Sequence, residues 1–213
     1  MIVREGFRKL LESEDDLELI GEAQTGRQAV KMAIKLHPDV VVMDVAMPQL
    51  NGLEATRQIR KAVPDAKVLI LSAHSDDAYL EKVAAFGAAG FVLKQTSSDN
   101  LARAIREVHK GNTFFSPAIS KRLLRRDQQL LDREGRPGKK SNRLSSREVE
   151  VLQLIAEGKA NKQVAAELGV TFKTVDKHRQ HLMSKLNIHD ISGLTRYAIK
   201  AGIIESSVPV TIS

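Results

Sequence analysis

The sequence has no cysteine among its 213 residues. No stretch comes close to the ~18 consecutive apolar residues that a membrane span needs. Without cysteine the chain cannot form disulfides, thiolate zinc sites, iron–sulfur clusters or a cysteine nucleophile. The N-terminus carries no signal-peptide pattern. We therefore expect a cytoplasmic protein without a membrane partner, large enough for one large domain or two small ones.

The net charge of +7 is unevenly distributed along the chain. Residues 1–111 hold 15 basic and 16 acidic side chains, whereas residues 112–213 hold 18 and 10. Most of the excess lies in residues 116–143, which hold nine basic and three acidic side chains around the turn signal Gly135–Gly138. A neutral half followed by a basic half predicts two domains with different partners, one of them a nucleic acid.

The first half alternates helix-like and strand-like segments. Apolar residues at helical spacing predict helices over 3–13, 26–36, 51–62, 77–86 and 101–108. Short apolar runs predict strands at Leu17–Ala23, Val40–Met43, Val68–Leu71 and Phe91–Leu93, the second of them buried on both faces. This alternation predicts parallel strands joined by crossover helices in a doubly wound α/β layer.

Three polar side chains stand where predicted strands of this layer end, namely Asp44, Ser72 and Lys94. Because ligands of open α/β sheets bind at the carboxyl edge of the strands, we expect the three to meet there. A carboxylate can attack a phosphoryl group as a nucleophile, while a hydroxyl and an ammonium bind the oxygens of the new phosphate. For Asp44 alone, the alternative is a carboxylate that caps a helix or lies in a loop.

This constellation, with the segment Val41-Val-Met-Asp-Val-Ala-Met-Pro-Gln-Leu-Asn-Gly52, resembles the receiver domain of two-component response regulators. The resemblance implies a flavodoxin-like fold in which Asp44 is the phosphoacceptor. It implies that Lys94 binds the phosphate, that Ser72 is a switch hydroxyl which moves toward it, and that Phe91 is a switch aromatic which swings inward. It further implies a sensor histidine kinase as phosphoryl donor and Mg²⁺ as cofactor.

The start of the chain departs from the receiver pattern. The family begins with a strand that ends in an acidic pair, and Met1–Gly6 match the segment just after that pair, so the first strand is expected to be missing. For Mg²⁺ this leaves Asp44 and the carbonyl of Ala46, fewer oxygen ligands than near-octahedral coordination takes. Three interpretations stay open: residues upstream of Met1 carry the strand and the acidic pair, the receiver is deficient in phosphorylation, or another element replaces the strand.

From Leu144 the pattern changes to successive helices. Ser145 and Glu148 form a capping box that predicts the first helix start, and glycines at 158 and 169 predict the ends of the first two helices. A third helix begins near Thr171, and a fourth covers about 192–201. Two short helices joined by a glycine-containing turn are typical of a helix-turn-helix. From periodicity alone, the third helix is either a recognition helix or a solvated helix of a plain bundle.

The segments Leu144–Leu152, Gly158–Ala165, Thr174–His178 and Lys185-Leu186 resemble the LuxR-type DNA-binding domain. Together with the receiver resemblance, they make the chain similar to NarL/FixJ-class response regulators. The resemblance implies that the third helix lies in the major groove of double-stranded DNA. The implied base-reading residues are Asp176, Lys177 and Gln180. The implied neighbours of the phosphate backbone are Thr171, Lys173, Thr174 and Arg179.

Side-chain chemistry suits these roles, since Lys177 can donate to guanine, Gln180 can pair with adenine and Asp176 can accept from cytosine. The alternative for Asp176 is a carboxylate favoured by the dipole at the helix N-terminus. In the same family the last helix forms a two-fold dimer interface, which implies a face of Leu194, Tyr197, Ala198 and Ala201. The alternative for each of the four is a place in the core of its own domain. A homodimer on DNA predicts two half-sites related by approximate symmetry.

We therefore expect a receiver at 1–112, a basic linker at 113–142, an all-α four-helix LuxR-type domain at 143–205 and a tail at 206–213. The expected function is DNA-binding transcriptional regulation that phosphorylation of Asp44 switches, with RNA polymerase as a further partner. The alternatives are a phosphorylation-independent DNA-binding regulator and an adaptor that binds protein or RNA. An enzyme of the phosphatase or dehalogenase type is not expected, because Ala46 stands where such enzymes need a second acid.

Overall fold

The computed structural model describes residues 2–73, 77–95, 98–115 and 144–204. They separate into two compact units, in which residues 46–51 group with the C-terminal helices and the remaining N-terminal residues form the other unit. The predicted linker from residue 116 on and the tail at 206–213 lie outside the described residues. The predicted domain bounds therefore stay predictions. Within the described ranges, no helix is both long and apolar enough to cross a membrane.

The first unit contains alternating helices and strands. Its helices are α1 (Ile2–Glu12), α2 (Gly26–Leu36), α3 (Gly52–Ala62), α4 (Asp77–Ala85) and α5 (Ser98–His109). Its strands are β1 (Val40–Asp44), β2 (Lys67–Ser72) and β3 (Gly90–Leu93). Each predicted helix of this half is present, and so is every predicted strand except the first.

The three strands form one parallel sheet in the order β1-β2-β3. β2 lies in the middle and is deeply buried, with Val68, Leu69 and Ile70 0% exposed. Leu69 and Leu71 pack against α5, so Val68 and Ile70 face the other side of the sheet. Parallel strands joined by helices are the α/β architecture that the sequence predicts, and they bring the carboxyl ends of all three strands to one edge.

The prediction of a strand at Leu17–Ala23 is wrong, because these residues form no strand. A strand exists through its hydrogen-bonded ladder, and among the described residues β1 pairs with β2 alone. The first three residues of β1, 40–42, are accordingly half-buried rather than buried on both faces as predicted. Leu17 packs against the α5 core instead, while Leu19 and Ile20 remain exposed.

An ion pair ties the turn after α1 to α5. The Arg106 guanidinium lies 2.6 Å from Glu14 Oε2 and 2.5 Å from Asp16 Oδ1. The hydrogen bond from Arg106 holds the pKa of the Asp16 carboxyl below its ordinary value. Asp16 therefore joins the turn after α1 to α5.

The helices of the second unit are α6 (Ser146–Ala156), α7 (Asn161–Leu168), α8 (Phe172–Leu186) and α9 (Ile191–Lys200). They pack around a common apolar core in which Leu152, Leu182 and Leu194 are 0% exposed. The capping box predicted at the start of α6 is present. The four predicted helices of this half are thus confirmed.

The capping box extends into an ion pair with α8, in which Glu148 is buried and Lys185 is exposed. The Ser145 N–H donates to Glu148 Oε2 at 2.7 Å, and Lys185 Nζ donates to the same oxygen at 2.7 Å. Burial acts to raise the pKa of the Glu148 carboxyl, but the bonds from Lys185 and Ser145 outweigh it and hold the pKa below its ordinary value of 4.5. The ionised carboxylate therefore joins the start of α6 to the last turn of α8.

We expect Lys185→Met to lower the free energy of unfolding by about 1–2 kcal/mol at near-neutral pH, because it leaves a buried carboxylate without its ammonium partner. The stabilisation by ionised Glu148 is present above pH 4.5 and is lost as the pH falls through the lowered pKa. The difference between wild type and variant should therefore shrink below pH 4.5. Urea unfolding followed by circular dichroism measures it.

The matched control is Lys162→Met, which changes an exposed lysine of α7 and should leave stability almost unchanged. A loss of stability in Lys185→Met that stays constant from neutral to acid pH would contradict the role given to the ionised carboxylate.

Candidate functional site

Two of the predicted polar side chains meet at the carboxyl edge of the sheet. Asp44 is the last residue of β1, and Lys94 directly follows β3. Lys94 Nζ lies 2.8 Å from Asp44 Oδ2. The Asp44 side chain is 36% exposed and that of Lys94 24%. A reactant in solution can therefore reach the carboxylate, while the ammonium is already in place beside it.

Ser72 ends β2, the strand between β1 and β3, and is only 1% exposed. The backbone around it is held on both sides. The Val45 N–H donates to the Leu71 carbonyl at 3.3 Å, and the Lys94 N–H donates to the Ser72 carbonyl at 2.9 Å. Since Asp44 lies opposite Leu71 in the β1–β2 ladder, the Ser72 backbone is fixed beside the strand end that carries the carboxylate.

The Ser72 hydroxyl contacts a residue that the sequence analysis did not single out. Ser72 Oγ donates to the Tyr79 hydroxyl oxygen on α4 at 3.4 Å. Tyr79 is half-buried. The sequence offers a weak signal for this contact, namely one tyrosine in the helix that follows β2.

Phe91 lies within β3 opposite Ile70 and is half-buried. Its N–H donates to the Phe114 carbonyl at 2.9 Å, and the Phe114 N–H donates to the Ala89 carbonyl at 3.0 Å. The chain just after α5 thus runs alongside β3 and forms a bridge with Gly90. Residue 114 lies in the predicted linker, and its pairing was not predicted, because a bridge of one residue leaves no periodic pattern.

Gly52 is a second residue near the site that the sequence analysis left without a role. A Cβ at this position would lie 2.0 Å from the Asp44 carbonyl oxygen. The Gly52 N–H donates to the Val45 carbonyl at 2.9 Å. Glycine is therefore required for α3 to begin this close to the end of β1, and it helps to fix the backbone of Asp44.

The described residues do not fit Mg²⁺, the cofactor that the receiver resemblance implies. This ion takes near-octahedral oxygen ligands. Of the three polar side chains predicted at this edge of the sheet, Asp44 carries the carboxylate, and it is paired with Lys94. Within the described ranges no group of three or more His, Asp or Glu side chains has the arrangement to hold a metal. Ala46, whose carbonyl is the second expected ligand, is half-buried in the segment after β1.

The second unit contains the predicted helix-turn-helix. Gly169 follows α7 and caps it, and its φ of +62° is the left-handed conformation that glycine adopts most easily. Two residues later Thr171 caps α8, since its Oγ1 accepts from the Thr174 N–H at 3.2 Å. Thr171 Oγ1 also lies 2.9 Å from Thr174 Oγ1. Both threonines predicted to lie near phosphate thus shape the start of α8.

One face of α8 is buried, and the other is polar. Val175 and Leu182 are 0% exposed in the core, whereas Lys173, Lys177 and Gln180 are exposed. The two lysines and the glutamine are all among the predicted DNA contacts. The helix therefore both packs on its own unit and presents hydrogen-bonding groups to solvent, as a recognition helix must.

Three of the predicted DNA contacts, namely Asp176, Arg179 and Gln180, form side-chain hydrogen bonds within the unit. Gln180 Nε2 donates to Asp176 Oδ2 at 3.0 Å, one helical turn away. A guanidinium nitrogen of Arg179 donates to Asn161 Oδ1 at 3.1 Å, which links α8 to the start of α7. The structure thus joins two of the three predicted base-reading side chains to each other.

The predicted dimer face on α9 needs correction. Leu194 and Ala198 are 0% exposed and belong to the core of their own unit, so they cannot form a contact with a second copy. Tyr197 and Ala201 are half-buried, and Tyr197 also packs against that core. The apolar stripe read from the sequence is the inward face of the helix, because a four-helix unit needs α9 to close its core.

Comparison with known proteins gives two family matches. Residues 1–106 match the response regulator receiver domain, and residues 142–198 match the luxR family of bacterial regulatory proteins. The oxygen regulatory protein NreC of Staphylococcus carnosus is 36% identical over 209 residues, which cover 96% of this chain and 95% of NreC. The transcriptional regulatory protein LiaR of Bacillus subtilis is 37% identical over 197 residues, with 92% of each chain covered.

Solved structures show the same likeness. RcsB of Salmonella enterica serovar Typhimurium, bound to the promoter rprA in the presence of the phosphomimetic BeF3⁻, aligns with a TM-score of 0.54 at 27% identity over 92% of each chain. A structure of two RcsB dimers bound to two parallel DNAs aligns with a TM-score of 0.51 at 28% identity, again over 92% of each chain.

Proposed function

Since this chain belongs to the response regulators of two-component systems, with a receiver domain and a luxR-family helix-turn-helix domain, we propose that phosphorylation of Asp44 controls its activity as a DNA-binding transcriptional regulator. The observation that carries the proposal is the ion pair between Asp44 and Lys94 at the carboxyl edge of the parallel sheet. The curated relatives named above are regulatory proteins matched over nearly their whole length.

The site supports phosphoryl transfer by simple chemistry. A carboxylate oxygen of Asp44 attacks the phosphorus of the donor, and the bond from phosphorus to the donor atom breaks with its electron pair staying on the donor. A phosphohistidine of a sensor kinase is the proposed donor. The Lys94 ammonium then binds oxygens of the new phosphoryl group, and the Ser72 hydroxyl supplies a further donor from the neighbouring strand.

A second candidate is a regulator that binds DNA without phosphorylation. The observation that favours it is the poor fit of the described residues to Mg²⁺, since receiver domains use this ion for phosphorylation. In this alternative the Asp44–Lys94 ion pair is a structural contact, and the helix-turn-helix unit carries the whole function.

The proposed DNA-binding element is α8, placed in the major groove. The side chains at the start of α8 and along the helix divide by chemistry into two groups. Lys177 and Gln180 are the proposed base contacts, and the proposed phosphate contacts are Thr171, Lys173, Thr174 and Arg179. The amide nitrogen of Gln180 carries two protons, and the bond to Asp176 uses one. The second N–H and the amide oxygen remain for adenine, so Asp176 acts by orienting Gln180 rather than by reading cytosine.

A homodimer on DNA is proposed to form through the outward face of α9. Ile191 is 53% exposed and Ile199 39%, and they lie two helical turns apart with Thr195 between them. This surface replaces the core residues Leu194 and Ala198 of the sequence-based prediction. Two copies related by a two-fold axis predict an operator with two similar half-sites, and RNA polymerase is the proposed further partner at the promoter.

Incubation of the full chain with acetyl phosphate and Mg²⁺ is expected to yield an acyl phosphate that hydroxylamine removes. Asp44→Asn should reduce the label to background, because an amide is not a nucleophile toward phosphorus. Mass spectrometry of the intact protein measures it. Asp39→Asn, an exposed carboxylate just before β1, is the matched control and should label like wild type. Label that persists in Asp44→Asn contradicts the assignment, and an unlabelled wild type that still binds its operator selects the second candidate.

We expect Lys177→Ala and Gln180→Ala each to weaken binding to a selected operator by about 1–3 kcal/mol and to relax the preference at one base pair. Asp176→Ala should relax the base preference at the same base pair as Gln180→Ala does. Lys173→Ala should weaken specific and non-specific binding alike and lower the salt slope by about one. Arg196→Ala, which changes an exposed arginine on α9, is the control. Operator selection followed by binding titrations at several salt concentrations measures these effects, and unchanged base preference in Gln180→Ala would refute the assignment.

Ile199→Lys is expected to weaken self-association on DNA, because it places a charge in an apolar contact between two copies. Sedimentation of the chain with a two-half-site operator should shift from two copies per DNA toward one. Ile34→Lys, which changes an isoleucine of α2 that is 48% exposed, should have no such effect. The proposed face fails if both variants behave like wild type.

A further inference from the structure

Tyr79 is the residue beside the phosphoacceptor edge to which neither the sequence pattern nor the proposed function gives a role. It contacts Ser72 through the 3.4 Å bond in which the Ser72 hydroxyl donates to the tyrosine oxygen. Ser72 is 1% exposed, so this hydroxyl exchanges partners within the protein rather than freely with water. The next residue of α4, Leu80, is 8% exposed and Val83 is 0% exposed, so α4 is anchored and holds the ring of Tyr79 in place.

A serine hydroxyl has one proton to donate. While that proton points to Tyr79, it cannot point to an oxygen of a phosphoryl group on Asp44. The backbone of Ser72 is held by the ladder and by the bond from the Lys94 N–H, whereas rotation about the Cα–Cβ bond moves the hydroxyl between staggered positions.

We propose that Tyr79 is a positioning residue that holds the Ser72 hydroxyl in the unphosphorylated protein and competes with the Asp44 phosphoryl group for its proton. The proposal rests on the proposed phosphorylation of Asp44 and deepens it. When Asp44 is phosphorylated, Ser72 turns to the phosphoryl oxygens and its bond to Tyr79 on α4 breaks. Tyr79 thereby raises the cost of the phosphorylated state and links that state to the surface of α4.

The first test uses Tyr79→Phe, which removes the hydroxyl and keeps the ring. Without its competitor, Ser72 should bind the phosphoryl analogue BeF3⁻ more readily, so that the full chain with Mg²⁺ binds it about two- to tenfold more tightly. In a Ser72→Ala background the same substitution should have no effect, since the proton in competition is gone. Tyr197→Phe, which changes the other tyrosine of the chain, is the matched control and should leave binding unchanged.

The second test reads the contact itself and needs no phosphorylation. The chain has two tyrosines, so 3-fluorotyrosine labelling gives two fluorine resonances, which Tyr197→Phe assigns. Ser72→Ala should move the Tyr79 resonance and leave that of Tyr197 in place, and BeF3⁻ should move the Tyr79 resonance in the wild type.

The outcomes separate the two proposals. Suppose that the wild type binds BeF3⁻. If Tyr79→Phe binds it with the same affinity, or if this substitution alters the affinity by the same factor in the wild-type and Ser72→Ala backgrounds, the role of Tyr79 is overturned and the phosphoacceptor site stands. If BeF3⁻ does not bind at all, the proposed phosphorylation of Asp44 fails, and the fluorine spectra decide on Tyr79. If the Tyr79 resonance moves in Ser72→Ala, the contact of Tyr79 with the Ser72 hydroxyl is supported. If that resonance does not move, the contact is overturned.

Discussion

The parallel ladder of β1, β2 and β3 is the constraint on which the chemistry of the first unit depends. Three strands that run in the same direction place Asp44, Ser72 and Lys94 at one edge, although the residues are far apart in the sequence. The ladder also fixes the backbone of all three, so the ion pair of 2.8 Å between Asp44 and Lys94 needs no loop to hold it. What remains adjustable is the direction of the Ser72 hydroxyl, which a change of charge at Asp44 can redirect.

In the second unit the main constraint is that one helix must both contribute to the apolar core and present a polar face to solvent. α8 does so by giving Val175 and Leu182 to the interior while its capping threonine and the Glu148–Lys185 ion pair secure the two ends. Its polar face is then free to carry lysine and glutamine side chains, whose positions are set by the helix rather than by a loop. The bond between Asp176 and Gln180 adds a local constraint on a side chain proposed to read a base.

Patterns in the sequence were sufficient where a local periodicity or a recurrent motif determines the outcome. The helices of both units, the strands β1 to β3 and the capping box at Ser145 follow from apolar spacing and from short-range hydrogen bonding. Sequence patterns were insufficient where the same apolar run is compatible with two different structural roles. Leu17–Ala23 has the composition of a strand, yet it pairs with no strand among the described residues. The stripe with Leu194 and Ala198 suits an interface, yet the core of its own unit takes both residues.

The sequence by itself determined the two-part organisation, the family, and the residue types that a phosphoacceptor edge and a recognition helix require, because these depend on composition, periodicity and spaced motifs. Tertiary structure decided the contacts within that edge. It set the 2.8 Å ion pair between Asp44 and Lys94, which the sequence could only place at a common edge, as well as the contact of Ser72 with Tyr79 and the close approach of Gly52 to the Asp44 carbonyl. Such contacts depend on how strands and helices are stacked in space, and periodicity along the chain does not encode the distance between two side chains.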